Sequence, residues 1–177
     1  MKKQQLIIID GPDGCGKTNI AEALSKRIGV PVFKNSGEWD HFGQCSGNEY
    51  FDLAASYLHP YVLSFIEQTG TSVILDRSHP SEWAYSRVFD RPRLDGQTEW
   101  SDCRSAKLGA KVIIAVRSNY SDVVDEHGVQ PEHLAQLDRL YREYANITEC
   151  DCLLLNVDDE NLERELAEII EFLSGDK

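Results

Sequence analysis

The chain has 177 residues, 41% of them apolar, with 12 Gly and 6 Pro, enough apolar side chains for a buried core and too few turn-formers for a disordered chain. No stretch approaches the ~18 apolar residues of a membrane span, and Met1-Lys2-Lys3-Gln4-Gln5 enters the first apolar run without signal-peptide features, so one soluble, cytoplasmic domain over 1–177 is expected. The net charge of −12 is uneven: residues 118–177 hold sixteen acidic against four basic side chains, while 77–117 hold eight basic against five acidic, which disfavours extended binding along DNA but leaves local basic ground for a small phosphorylated ligand.

In chain order, Leu6-Ile7-Ile8-Ile9 reads as a buried strand over 6–9. Gly11-Pro12-Asp13-Gly14-Cys15-Gly16-Lys17-Thr18 follows, matching G-x-x-x-x-G-K-[ST], and a helix is predicted over 17–27, with Ile20, Ala23 and Leu24 on one face. Glycines at this spacing let successive backbone N–H groups turn inward around an anion. The helix N-terminus adds positive potential there. Gly11, Asp13, Gly14, Cys15, Gly16, Lys17, Thr18 and Asn19 are therefore the predicted nucleotide-binding residues, with Lys17 reaching the outer phosphates and Thr18 offering its hydroxyl to Mg²⁺.

A strand is predicted over 31–33, then a polar segment from Asn35 to Asn48 and a helix over 50–68. The next strand, 72–75, ends in Asp76-Arg77-Ser78. A carboxylate at that end can approach the Mg²⁺ held by Thr18, and the guanidinium can grip a phosphate or the acceptor oxygen. The alternative is a structural salt bridge or a surface turn. Helices over 81–88 and 99–107, a strand over 112–116, a helix over 131–145, a strand over 153–157 and a helix over 161–173 complete a βα alternation, read as a doubly wound parallel α/β sheet. The segments 35–48, 89–98 and 118–130 emerge where such sheets bind ligands. The five cysteines lack C-x-x-C spacing and read as free thiols, with Cys150 and Cys152 buried beside a strand.

Ile9 through Thr18 together with Asp76-Arg77 and Ala84-Tyr85 resemble the thymidylate kinase and deoxynucleoside kinase superfamily; Ser78 is similar to the serine of the E-R-S motif in deoxynucleoside kinases, with Asp76 in the glutamate's place. The resemblance implies a P-loop kinase with strand order 2-3-1-4-5, ATP as donor, Mg²⁺ as cofactor, an arginine on the acceptor and transferred phosphates, and a homodimer as one assembly. The chain departs from the thymidylate kinase pattern after the second strand, where Phe33-Lys34-Asn35-Ser36 replaces R-E-P-G and Lys34 takes the arginine's place, and at Ser86, where a base-reading glutamine would stand. Ser118 to Gln130 lacks the family's lid arginines, leaving Arg87, Arg91, Arg93, Arg139 or Arg142 to supply that charge.

The predicted catalytic set is Lys17, Asp76, Arg77 and, for a hydroxyl acceptor, Glu38 or Asp40 as base, with Glu38 an ordinary surface acid otherwise. The substrate-binding set is Lys34, Trp39, Arg77 and Arg93, and the metal-binding pair is Thr18 and Asp76. Trp39, Phe42, Tyr50, Phe51 and Tyr57 offer faces for a nucleobase, whereas Tyr57, Tyr61 and Phe65 recur at helical spacing and read as core. Trp83 and Tyr85 either wall the site or anchor their helix, and His79 reads as a capping or packing residue. Three functions fit: phosphoryl transfer from ATP to a deoxynucleotide or deoxynucleoside, transfer to a hydroxyl of a modified pyrimidine within DNA, and a nucleotide-binding switch or NTPase.

Overall fold

The computed structural model describes residues 4–34, 49–91, 96–123 and 129–175, and over 49–57 the backbone alone. The apolar run at the start forms β1 (Leu6–Asp10), buried along its whole length, and the glycine loop delivers it into α1 (Lys17–Ile28). Then come β2 (Val32–Lys34), α2 (Glu49–Thr69), β3 (Val73–Asp76), α3 (His79–Val88), α4 (Gln97–Lys107), β4 (Lys111–Val116), α5 (Pro131–Ile147), β5 (Asp151–Asn156) and α6 (Leu162–Ser174). Five parallel strands pair in the order β2-β3-β1-β4-β5, the order expected. Strands covered on both faces need apolar side chains on both. β1 and β4 meet that demand, with Ile8, Ile9, Val112, Ile113, Ile114 and Ala115 all fully buried.

The register sets the chemistry. Ile9 lies opposite Asp76 and Lys34 lies beside Asp76, so the carboxyl ends of β1, β3 and β2 finish level with one another, under the glycine loop. α3 and α5 pack together over this end, and α1 packs on β3. No helix among the described residues is long and apolar enough to cross a membrane.

One expectation fails. Tyr61 and Phe65 do not enter the core; they are 74% and 60% exposed. The face of α2 that is buried carries His59, Leu63 and Ile66, whose spacing of four and three keeps them in one stripe, while the aromatic series at strict fours drifts around the helix toward solvent. The four described cysteines, Cys15, Cys103, Cys150 and Cys152, are free, while Cys45 lies outside the described residues; Cys150 is buried as expected, Cys152 only half-buried, and the thiols of both are pushed up to about 12 by desolvation and the nearby Asp102 carboxylate.

Gly11 has φ 142, and a Cβ there would stand 2.2 Å from the Ala115 carbonyl oxygen, a rigid backbone atom of β4. Gly11→Ala is expected to cost about 3 kcal/mol or more, combining backbone strain with overpacking, and to lower Tm by roughly 6–12 °C. The same change at Gly29, whose Cβ would meet nothing within 4 Å, costs only the left-handed backbone penalty of about 1–2 kcal/mol. Thermal unfolding of the two variants side by side checks the difference.

Candidate phosphoryl-transfer site

Glycines at 11, 14 and 16 all take positive φ, and the loop they shape ends at the first residue of α1. Lys17 is 6% exposed, and its ammonium donates to the Pro12 carbonyl at 2.6 Å with Asp13 at 3.7 Å, so it spans the loop from which it grows. Desolvation, and then the Arg77 guanidinium, pull its pKa down, while Asp13 pulls the other way. Thr18 donates from Oγ1 to Oδ2 of Asp76 at 2.8 Å, joining the first turn of α1 to the end of β3. The two motifs therefore meet in space, 58 residues apart in the chain.

Arg77, directly after Asp76, sits at φ 72, a left-handed conformation that a long side chain adopts only when held there. Its guanidinium donates to Asp13 of the loop and to Ser81 Oγ at 3.2 Å, with Asp10 at 4.0 Å. Tyr85 donates its hydroxyl to the other Asp13 oxygen at 2.5 Å, and the Arg77 guanidinium lies 5.3 Å from the Tyr85 ring centre. Burial raises the Tyr85 pKa well above its ordinary value, so its hydroxyl remains a donor. Of the pair Trp83 and Tyr85, then, Tyr85 faces the loop. Trp83 anchors its helix instead, packed on Tyr144 at 5.8 Å and covered by Arg87 at 3.9 Å.

His79 is buried at the start of α3, its Nε2 3.3 Å from Asp102 and 2.9 Å from the Tyr144 hydroxyl, which bears out the packing reading. Asp102 also accepts from Tyr144 at 2.5 Å, Thr148 at 2.5 Å and the Glu149 amide at 2.8 Å. Burial alone would raise its pKa. The hydrogen bonds from His79, Glu149, Thr148 and Tyr144 outweigh that and hold the carboxyl well below the usual range. His59, across on α2, is pushed down to about 4 by burial and by His79 and is neutral at pH 7.

The other predicted residues divide cleanly. Lys34 is exposed at the end of β2, beside Asp76, and Asn19 is exposed on the first turn of α1. Cys15 lines the loop by its backbone, while its thiol turns inward to the Tyr120 hydroxyl at 3.4 Å. Glu38, Trp39, Asp40, Phe42 and Arg93 lie outside the described residues, as do the side chains of Tyr50, Phe51 and Tyr57. Among the arginine candidates, Arg87 is turned onto Trp83, Arg142 is tied to Asp138 at 2.6 Å and Arg139 is exposed on α5. Arg91 lies 5.5 Å from the ring centre of Tyr85.

Sequence reasoning missed Arg117. It donates to the Gly14 carbonyl at 2.9 Å and to Glu160 at 3.1 Å, and its buried Nε has no hydrogen-bond acceptor among the described residues. With Ser118, Asn119, Asp122, Val123, Asp158 and Glu160 it lines a cleft of about 410 Å³ beside the loop. Val123 packs so closely on Gly14 that a Cβ there would lie 2.5 Å from it. The only sequence signal was an arginine directly after an apolar strand.

The cleft adjoins the glycine loop. No protein-family model and no curated protein matches this chain in sequence. Among solved structures, the chain is similar to thymidylate kinase from Candida albicans, at 18% identity over 98% of this chain and 92% of that one, with TM-score 0.65. Deoxyadenosine kinase from M. mycoides with dCMP and dCDP bound is 20% identical over 98% and 100%, with TM-score 0.61. YorR protein from Bacillus subtilis, in complex with phosphorylated GDP, is 19% identical over 97% of each chain, with TM-score 0.62. The chain has the fold of the P-loop nucleotide kinases.

In this P-loop fold, the residues present suit a small hard cation. Among the described residues no group of three His, Cys, Asp or Glu forms a metal cage. Mg²⁺ needs none, since one or two protein oxygens suffice when phosphates and waters fill the other positions. The Thr18 hydroxyl donates its hydrogen bond to Asp76 and so keeps its lone pairs for such an ion, and the Asp76 carboxylate supplies the opposing charge.

Because Asp102 is depressed in the folded chain, its contribution to stability is complete above about pH 4, the unfolded value, and is lost as pH falls below that. Asp102→Asn should therefore lower stability by about 2 kcal/mol at pH 7, and the gap from wild type should shrink on acidification from pH 4.5 toward pH 3. Urea titrations at both pH values, followed by circular dichroism, measure it.

Proposed function

We propose that this chain is a kinase that transfers the terminal phosphoryl group of ATP to a deoxynucleotide or deoxynucleoside. The observation that carries the reading is the 2.8 Å bond between Thr18 and Asp76, which brings the phosphate loop and the end of β3 into one cleft, with Arg77 reaching from there to Asp13. Asp76 makes its bond to the loop threonine and Arg77 its ion pair to Asp13, so both residues at the end of β3 turn to the glycine loop rather than to each other.

The donor's β and γ phosphates lie against the backbone N–H groups of Gly14 to Thr18, a polyphosphate offering Lys17 stronger partners than the Pro12 carbonyl. The donor base occupies the adjacent 410 Å³ cleft, where Arg117 presents its guanidinium and Asn119, Asp122, Asp158 and Glu160 present polar groups. Thr18 and Asp76 would hold Mg²⁺, whose chemistry there would be to neutralise charge on the donor's phosphates. Arg77 holds the acceptor oxygen in line. That oxygen forms a bond to the γ phosphorus as the bond to the β–γ bridging oxygen breaks, and ADP leaves with the electron pair. A phosphate monoester acceptor needs no base; a hydroxyl acceptor gives its proton to a carboxylate, for which Glu38 is the candidate. Lys34 beside Asp76, with Trp39 and Arg93, serves the acceptor.

Labelled ATP incubated with deoxynucleosides, their monophosphates, and oligonucleotides carrying plain or hydroxymethylated pyrimidines tests the reading. Transfer to a free nucleotide or nucleoside is expected. Transfer only to DNA would replace this acceptor with a base hydroxyl, and steady hydrolysis with no transfer to any acceptor would overturn the kinase reading. Lys17→Ala and Asp76→Ala should each lower kcat/KM by about 10²–10³-fold, and Glu38→Gln should do so only for a hydroxyl acceptor. Arg117→Ala should raise the donor KM about tenfold with little change in kcat, as expected for a contact made equally in ground and transition states.

A further inference from the structure

Asp10 closes β1 one residue before the glycine loop, and it is completely buried. It touches no open part of the cleft. Yet its two oxygens accept five hydrogen bonds: Oδ1 from the Gly11 amide at 2.9 Å, Ser81 Oγ at 2.7 Å and the Tyr141 hydroxyl at 2.8 Å, and Oδ2 from the amides of Ser78 at 3.0 Å and Ser81 at 3.1 Å. A buried carboxylate needs this many partners to remain in place. The donors come from the glycine loop, from the start of α3 and from α5, so one side chain ties three elements at the point where the two motifs meet.

The amides it binds are not arbitrary. Ser78 is the N-cap of α3 and makes no capping bond with its own side chain, and Ser81 lies in the first turn, where N–H groups lack the i−4 acceptors of a helix interior; the Ser81 amide is shared between Asp10 and the Ser78 carbonyl at 3.0 Å. Asp10 therefore caps α3 from a neighbouring strand and places its negative charge at the positive end of that helix. Arg77 lies directly before this capped turn, in its left-handed conformation, its amide bonded to the Ile9 carbonyl at 3.0 Å. Its guanidinium donates to Ser81 Oγ, the same hydroxyl that donates to Asp10. The Tyr141 hydroxyl stays protonated, its pKa raised by burial and by Asp10, so toward the carboxylate it acts only as a donor.

We propose that Asp10 is a positioning residue of the transfer site: acting through Ser81 and the capped start of α3, it holds Arg77 in the left-handed turn from which the guanidinium reaches Asp13. An asparagine cannot replace it, because either orientation of the amide turns its NH₂ toward at least two donors. The kinetic consequence rests on the proposed kinase activity; the effect on the order of Arg77 does not.

The test uses Asp10→Asn and, in case that variant does not fold, Ser81→Ala, which removes only the shared hydroxyl. The Arg77 Nε–Hε signal in a ¹H–¹⁵N spectrum, assigned by its loss in Arg77→Lys, is expected to be a single shifted line in wild type and to move to the free-arginine position or broaden in either variant. In transfer assays, Ser81→Ala should lower kcat about tenfold and Asp10→Asn about 30-fold or more, with donor KM changed less than about threefold. In an Arg77→Ala background each change should add less than about twofold, because residues acting through one group are not additive. An unchanged Arg77 signal in a folded variant, or losses that multiply in the double variants, would overturn the proposal. Should wild type transfer to no acceptor, the arginine signal alone decides, so failure of the kinase reading and failure of this one remain distinct.

Discussion

The parallel register of β1 and β3 is the constraint on which the site depends. With Ile9 opposite Asp76, the two strands end side by side, and whatever follows each must share the same small volume. A shift of one residue would reverse the facing of every side chain on β3 and take Asp76 out of reach of Thr18. Burial favours this register, since both strands are buried along their length and carry apolar residues up to a polar one at the last position, which a slip would draw into the sheet. Apolar packing in the middle of the sheet thus sets the distance between polar groups at its rim.

At that rim the glycine loop is close-packed. Gly11 lies against the Ala115 carbonyl, Gly14 against Val123, and Arg117 holds the Gly14 carbonyl, so β4 and the segment after it form one wall of the loop. Asp13 forms the opposite wall, fixed by Arg77 and Tyr85. The loop is thus held from both sides by side chains that lie far from it in the chain.

What the sequence disclosed follows from what kind of signal each feature leaves. The glycine loop has a fixed spacing, and Asp76 closes an apolar run, so both were legible together with the eleven elements found among the described residues and, through the family resemblance, the strand order. Arg117 and Asp10 were not. Their roles come from contacts across 103 and 71 residues, and nothing near them in the chain distinguishes them from an arginine after a strand or an acid before a turn. Tyr61 and Phe65 misled because periodicity identifies a helix but does not say which of two stripes faces inward. Here the stripe through Leu63 and Ile66 is the buried one. Tyr85 could be resolved only by seeing Asp13 in front of it.

Four buried or half-buried carboxylates each receive a tyrosine hydroxyl: Asp10 from Tyr141 at 2.8 Å, Asp13 from Tyr85 at 2.5 Å, Asp102 from Tyr144 at 2.5 Å and Asp138 from Tyr120 at 2.8 Å. Each phenol is held protonated by desolvation and by the anion it faces, all four with pKa raised. Four of the seven tyrosines are therefore expected to gain phenolate absorbance in alkali only as the tertiary structure opens. The near-ultraviolet spectrum of the unlabelled protein at high pH becomes an intrinsic clock for the collapse of the polar layer beneath the cleft.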